Sequence, residues 1–132
     1  MAVQANLHRI VVIDDDPDVS ALLALLFEVD DRFDLVGVAA DGRNGIDIVT
    51  ELEPDAVVVD LDLPEANGLD VIVEIRADLP ETRIVVFSAY PDPYTLLDAL
   101  RCGADSYLDK ATAWAELVPT VAGLCGETEP AG

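Results

Sequence analysis

Lysine is almost absent from this 132-residue chain: Lys110 is the single copy, and every other basic residue is an arginine. The 7 bases stand against 27 acids, a formal net charge of −20. Such a chain repels phosphate backbones and anionic bilayers, which argues against direct nucleic-acid or membrane binding. An Asp-rich, Lys-poor surface resembles those of proteins adapted to high salt, and a biased base composition would deplete lysine equally. Long apolar runs are missing too. The residues are 52% hydrophobic with a mean hydropathy of +0.33, yet the longest run, Ala21 to Phe27, falls far short of the roughly 20 residues a membrane span needs. The expectation is a soluble protein. Met1 to Arg9 shows no charged segment followed by an apolar one, so a cytoplasmic location is expected. The two cysteines, Cys102 and Cys125, sit in separate helical patterns without metal-ligand spacing and read as ordinary thiols. No repeat or low-complexity segment appears, and the length suits one domain.

What the chain does have is organised around Ala56-Val57-Val58-Val59-Asp60-Leu61-Asp62-Leu63-Pro64. A β-branched apolar run bounded by turn residues reads as a parallel strand buried on both faces, and it delivers Asp60 to its C-terminal end. Other strand patterns run over His8–Ile13, Phe33–Ala39, Arg83–Phe87 and Ser106–Leu108. Helical spacing occupies the intervals, from Pro17 to about Val29, Asn44 to Leu52, Leu69 to Leu79, Tyr94 to Cys102 and Trp114 to Leu124. Asp16 and Pro17 suit a helix start, and Gly103 suits a helix end. Pro119 conflicts with the last helix, since it removes a donor at a cost of about 3 kcal/mol. Five strands alternating with five helices through short connections predict an α/β fold, a doubly wound five-stranded parallel sheet with helices on both faces.

The polar residues then share one edge of the sheet, where ligands bind in open α/β folds. Asp14 and Asp15 end the first strand, Asp60 the third, Ser88 the fourth and Lys110 the fifth. Each alone has a structural explanation, as a cap, a turn residue or a surface charge. Together they make a phosphoryl-transfer site with Asp60 as nucleophile. Three crowded carboxylates raise one another's pKa unless a cation intervenes, and Mg²⁺ accepts hard oxygen ligands while keeping positions for phosphate oxygens. Lys110 supplies a second cation and Ser88 a hydroxyl donor. Lys110 is expected to pair with Asp60 when phosphate is absent.

Val12-Ile13-Asp14-Asp15-Asp16-Pro17, Val58-Val59-Asp60-Leu61-Asp62-Leu63-Pro64, Val86-Phe87-Ser88-Ala89-Tyr90 and Gly103-Ala104-Asp105-Ser106-Tyr107-Leu108-Asp109-Lys110 resemble the receiver domains of two-component response regulators. The resemblance covers residues 8 to 125. It implies the flavodoxin-like strand order 2-1-3-4-5, with 1–125 as the receiver domain and 126–132 as a C-terminal tail or the start of a linker. It implies phosphorylation at Asp60 by a sensor histidine kinase, with Mg²⁺ held by Asp14, Asp15, Asp60 and the backbone carbonyl of Asp62. Ser88 and Lys110 would contact the phosphoryl group, and Ser88 with Tyr107 would form the switch toward a downstream output domain or protein. Tyr107 is expected to rotate inward as Ser88 is drawn to the phosphoryl group. Catalysis would be limited to self-catalysed phosphotransfer and autodephosphorylation, and a homodimer is compatible with this reading. The last motif is closest to receivers that precede a helix-turn-helix domain. Asp62 and Tyr90 flank the site at positions that tune dephosphorylation in the family. Ala111 stands where many receivers carry a proline after the lysine, so a different last loop is expected.

A haloacid-dehalogenase-type phosphatase is the alternative, with Asp60 as nucleophile and Asp62 as general acid. Motif order disfavours it, because the acid pair comes first here and no insertion is long enough for a substrate cap. A flavodoxin would need a hydroxyl-rich phosphate loop where Asp14-Asp15-Asp16 stand.

Overall fold

The computed structural model describes residues 7–89 and 92–127; Tyr90, Pro91 and the tail residues 128–132 lie outside the described residues. Six segments of the main architecture follow in strict alternation: β1 (His8–Ile13), α1 (Pro17–Glu28), β2 (Phe33–Ala39), α2 (Gly42–Leu52), β3 (Ala56–Val59) and, after a short hairpin, α3 (Gly68–Asp78). The hairpin is β4 (Asp62–Leu63) with β5 (Ala66–Asn67), and the chain continues through β6 (Arg83–Ser88), α4 (Pro93–Cys102), β7 (Ser106–Asp109) and α5 (Trp114–Leu124). The main sheet is β2-β1-β3-β6-β7, all pairs parallel. Counting only its own five strands, that is the expected order 2-1-3-4-5.

Period-two alternation divides the core into two layers. Val11, Ile13, Val57, Val59, Ile84 and Val86 face α2, α3 and α4, where Ile46, Val49, Ile72, Ile75 and Ala99 meet them. Ile10, Val12, Val58, Val85 and Phe87 face α1 and α5, against Leu23, Phe27, Leu117 and Val121. Two aromatic contacts lock the second layer: Phe27 meets Phe33 edge-on at 5.1 Å between ring centroids, and Phe87 meets Trp114 at 4.8 Å. Strands covered on both sides explain why their sequences read as continuous apolar runs.

Local signals account for most boundaries. The Asp16 carboxylate accepts from the main-chain N–H groups of Asp18 and Val19 and caps α1, while Asp92 does the same for α4 through Tyr94 and Thr95. The second helix begins two residues earlier than its apolar spacing indicates, because Asp41 caps it at the Asn44 N–H. Pro119 does lie inside α5. Both it and Ala115, whose carbonyl loses its partner, are exposed, so water can satisfy that carbonyl and the penalty is reduced.

The stretch after Asp60 is more ordered than a plain loop. Pro64 and Glu65 turn the β4–β5 hairpin, with Glu65 at φ 56°, and the chain then presses Gly68 onto the backbone of Leu61. A Cβ at Gly68 would stand 2.4 Å from the Leu61 Cα and 2.7 Å from its carbonyl oxygen. Gly68→Ala therefore lowers unfolding free energy by about 1–3 kcal/mol in urea titrations. Gly123→Ala, in α5 with nothing within 4 Å of the added methyl group, raises it by about 0.5–1 kcal/mol. Equal effects of the two substitutions would contradict this packing.

Candidate functional site

The last rungs of the sheet hold the site residues by their backbones. The Asp14 N–H donates to the Ala39 carbonyl at 3.0 Å, the Asp60 N–H to Ile13 at 2.9 Å and the Lys110 N–H to Ser88 at 3.0 Å. Hydrogen bonds of the parallel ladder thus continue one residue beyond the apolar strands and bring polar side chains to a common rim. Asp14, Asp60 and Ser88 are 3%, 5% and 2% exposed, whereas Asp15 is exposed.

Both oxygens of the Asp60 carboxylate are engaged. Oδ1 accepts from the Ser88 hydroxyl and the Asp62 main-chain N–H, each at 3.0 Å, and Oδ2 accepts from Lys110 Nζ at 2.9 Å. The expected Lys110–Asp60 pair is present. Sequence reasoning missed its second half: Lys110 Nζ also lies 2.6 Å from Asp14 Oδ2. Asp14 Oδ1 in turn accepts from the Asp16 N–H at 2.9 Å, and the Ser20 hydroxyl donates to the Asp14 carbonyl at 3.2 Å. Nothing in the spacing of Ser20 within α1 signalled that role.

Electrostatics follow from two acids sharing one ammonium. Burial pushes the Asp14 carboxyl above its ordinary value, against the opposing effects of Lys110 and the Asp16 N–H. Burial alone would lower Lys110, but its hydrogen bonds to Asp14 and Asp60 and their charges outweigh that, and its pKa rises. The two shifts agree physically, since the lysine gains two partners while each acid has only a share of one.

One carboxylate oxygen from each of Asp14, Asp15 and Asp60 falls within 4.8 Å of the others. Hard donors in a part-exposed cluster, outnumbering their single cation, suit a divalent metal that retains water. The acidic pocket is able to bind such an ion. Tyr107 completes the rim. Its ring packs partly buried against the core, with the Ser88 hydroxyl near its phenol. Burial and the nearby Asp92, Asp109 and Asp62 push its phenol up, against the Ser88 hydrogen bond. Tyr90, expected beside the site, lies outside the described residues. After Lys110, no described peptide bond is cis, and the Ala111 N–H donates to Asp109 Oδ1 at 2.8 Å.

Fold and site together define a doubly wound α/β signalling domain with an acidic rim, and the comparisons with known proteins give its family. The chain belongs to the response regulator receiver domain family, whose model matches residues 10–122. It is 36% identical over 112 residues to the transcriptional regulatory protein YhcZ of Bacillus subtilis, covering 85% of this chain and 52% of that protein. Identity to the DNA-binding response regulator MtrA of Mycolicibacterium smegmatis is 38% over 126 residues, covering 94% and 54%. The chain thus spans about half the length of these curated relatives. Among solved structures, the signal receiver domain of the putative response regulator NarL from Mycobacterium tuberculosis superposes with a TM-score of 0.86 at 28% identity, covering 93% of this chain and 100% of that one. The phosphatase alternative finds no support in this family assignment. Among the described residues, no helix is long and apolar enough to cross a membrane.

Raising the Asp14 pKa means that its ionised form opposes folding. Below its ordinary value of 3.8 the carboxyl is neutral in both states and this cost is absent; the cost develops as pH rises through and above that value. Asp14→Asn is accordingly more stable than the parent at about pH 7 in metal-free buffer, and the advantage shrinks toward about pH 3. Urea midpoints measured across that range check it; a variant less stable than the parent at neutral pH would refute the burial argument.

Proposed function

We propose that this chain receives a phosphoryl group on Asp60 from a sensor histidine kinase and changes its surface for a downstream output domain or protein, in the manner of LuxR- and NarL-type regulators. The observation that carries this reading is the rim itself, in which a buried carboxylate is bound by the Ser88 hydroxyl and the Lys110 ammonium beside a second acid pair. An Asp60 oxygen attacks phosphorus, and the bond from phosphorus to the donor's imidazole nitrogen breaks, its electron pair leaving with that nitrogen. The product is an acyl phosphate. Lys110 and Ser88 exchange their carboxylate contacts for phosphoryl oxygens, so the transferring charge meets donors already oriented. Asp14, Asp15, Asp60 and the backbone carbonyl of Asp62 would hold Mg²⁺. When bound, that ion neutralises charge that one lysine cannot.

Catalysis in this proposal is confined to the chain's own phosphorylation and autodephosphorylation, with Asp62 and Tyr90 at the sequence positions that tune the latter in the family. Ser88 and Tyr107 form the switch, a reading supported by the nearness of the Ser88 hydroxyl to the Tyr107 phenol. Residues 1–125 make up the receiver and 126–132 a tail or the start of a linker. The site of action is the cytoplasm, and a second copy of the chain is a candidate partner. A net charge of −20 disfavours direct contact of this segment with nucleic acid or membrane.

Acetyl phosphate with Mg²⁺ should add one phosphoryl group by intact-mass spectrometry, and Asp60→Asn should add none. An equal mass gain in that variant would remove Asp60 from the mechanism. Mg²⁺ should also raise thermal stability at constant ionic strength, by about 2.7 kcal/mol at a hundredfold excess over Kd. Asp15→Asn should lose most of that gain; retention of the full gain would place the metal elsewhere.

A further inference from the structure

Lys110 carries its ammonium on a flexible four-carbon stem, so its reach to Asp14 and Asp60 depends on how the backbone at residue 110 is held. On its N-terminal side the Lys110 N–H is tied to the Ser88 carbonyl. On its C-terminal side the next three main-chain N–H groups converge on one residue. Ala111 donates to the Asp109 carboxylate at 2.8 Å, while Thr112 and Ala113 donate to the Asp109 carbonyl at 3.1 and 2.8 Å. Asp109 itself ends β7 in register with Ser88.

We propose that Asp109 is a positioning residue for Lys110: by accepting the Ala111 N–H, its side chain sets the turn from which the lysine reaches the phosphoacceptor. The carbonyl bonds of Asp109 are available to any residue at that position, but the first N–H after Lys110 is satisfied by this side chain. Among the described residues the ion pairs of Lys110 are to Asp14 and Asp60, so Asp109 acts through backbone geometry and not through a charge contact with the ammonium. The device needs an N–H at residue 111, which Ala111 supplies.

The consequence for phosphorylation rests on the reading of Asp60 above, and the single lysine allows a test with a separate readout. Incorporation of ¹⁵N-lysine gives one main-chain and one side-chain signal, the latter sharp while the ammonium is held by carboxylates and broadened by solvent exchange when it is released. Asp109→Ala should broaden that signal and slow phosphoryl uptake from acetyl phosphate about fivefold, the effect of one lost hydrogen bond of ordinary strength. Asp109→Asn, which keeps an acceptor oxygen, should restore both. With Ala111→Pro, which removes the N–H, Asp109→Ala should add no further change. The proposal is overturned if Asp109→Ala leaves the lysine signal and the rate at parental values, if Asp109→Asn behaves like Asp109→Ala, or if the loss is undiminished beside Ala111→Pro. Should the lysine signal follow Asp109 as expected while the parent takes up no phosphoryl group, the positioning role stands and the phosphoacceptor reading fails.

Discussion

One ammonium shared by two buried carboxylates is the interaction on which this domain turns. At about 4 Å and an effective dielectric near 20, a single such pair attracts by about 4 kcal/mol, but burying each ion costs several kcal/mol. Asp14 and Asp60 are almost wholly enclosed, so removing Lys110 would leave two uncompensated anions side by side. The surroundings are arranged to make the triad possible. Ladder bonds hold the backbones of Asp14, Asp60 and Lys110, and the side chains beneath the rim belong to two close-packed apolar layers that allow little adjustment.

That arrangement stores a response. Asp14 stays under pressure toward its neutral form while Lys110 is held charged, which means that the site is electrostatically unfinished. In the proposed function a divalent ion would relieve the excess of carboxylates, and a phosphoryl group would supply new acceptors for Ser88 and Lys110. Either event would draw on the same few hydrogen bonds. Tyr107 lies near Ser88, and Ser88, Asp109 and Lys110 occupy facing positions at the ends of β6 and β7. That edge of the sheet lies beside the exposed Tyr94, Leu97 and Leu100 of α4.

Elsewhere the scarce bases fasten the fold. Arg9 bonds the Leu52 carbonyl at the end of α2, and Arg76 joins the carbonyls of Pro80, Thr82 and Gly103 with the Asp105 carboxylate. The α3 end is thereby tied to the link between α4 and β7, far from Asp60. Burial pushes the Cys125 thiol up to about 11, which keeps it unreactive near neutral pH.

Sequence by itself determined the alternation of strands and helices, because apolar period and turn residues act locally: β1, β2 and α5 have the bounds their residues predicted. It also determined which side chains reach the functional rim, since a residue just past a parallel strand can only lie at that strand's C-terminal end. Cap geometry shifted α2, and the hairpin after Asp60 escaped notice because two-residue strands have no period to read. Only the tertiary structure decided the contacts among residues distant in the chain. Lys110 had an evident partner in Asp60, but its pairing with Asp14 depends on β1 and β7 being held across β3 and β6. The Asp109 carboxylate is ordinary in sequence, and its role emerges only where the turn after Lys110 brings a backbone N–H onto it.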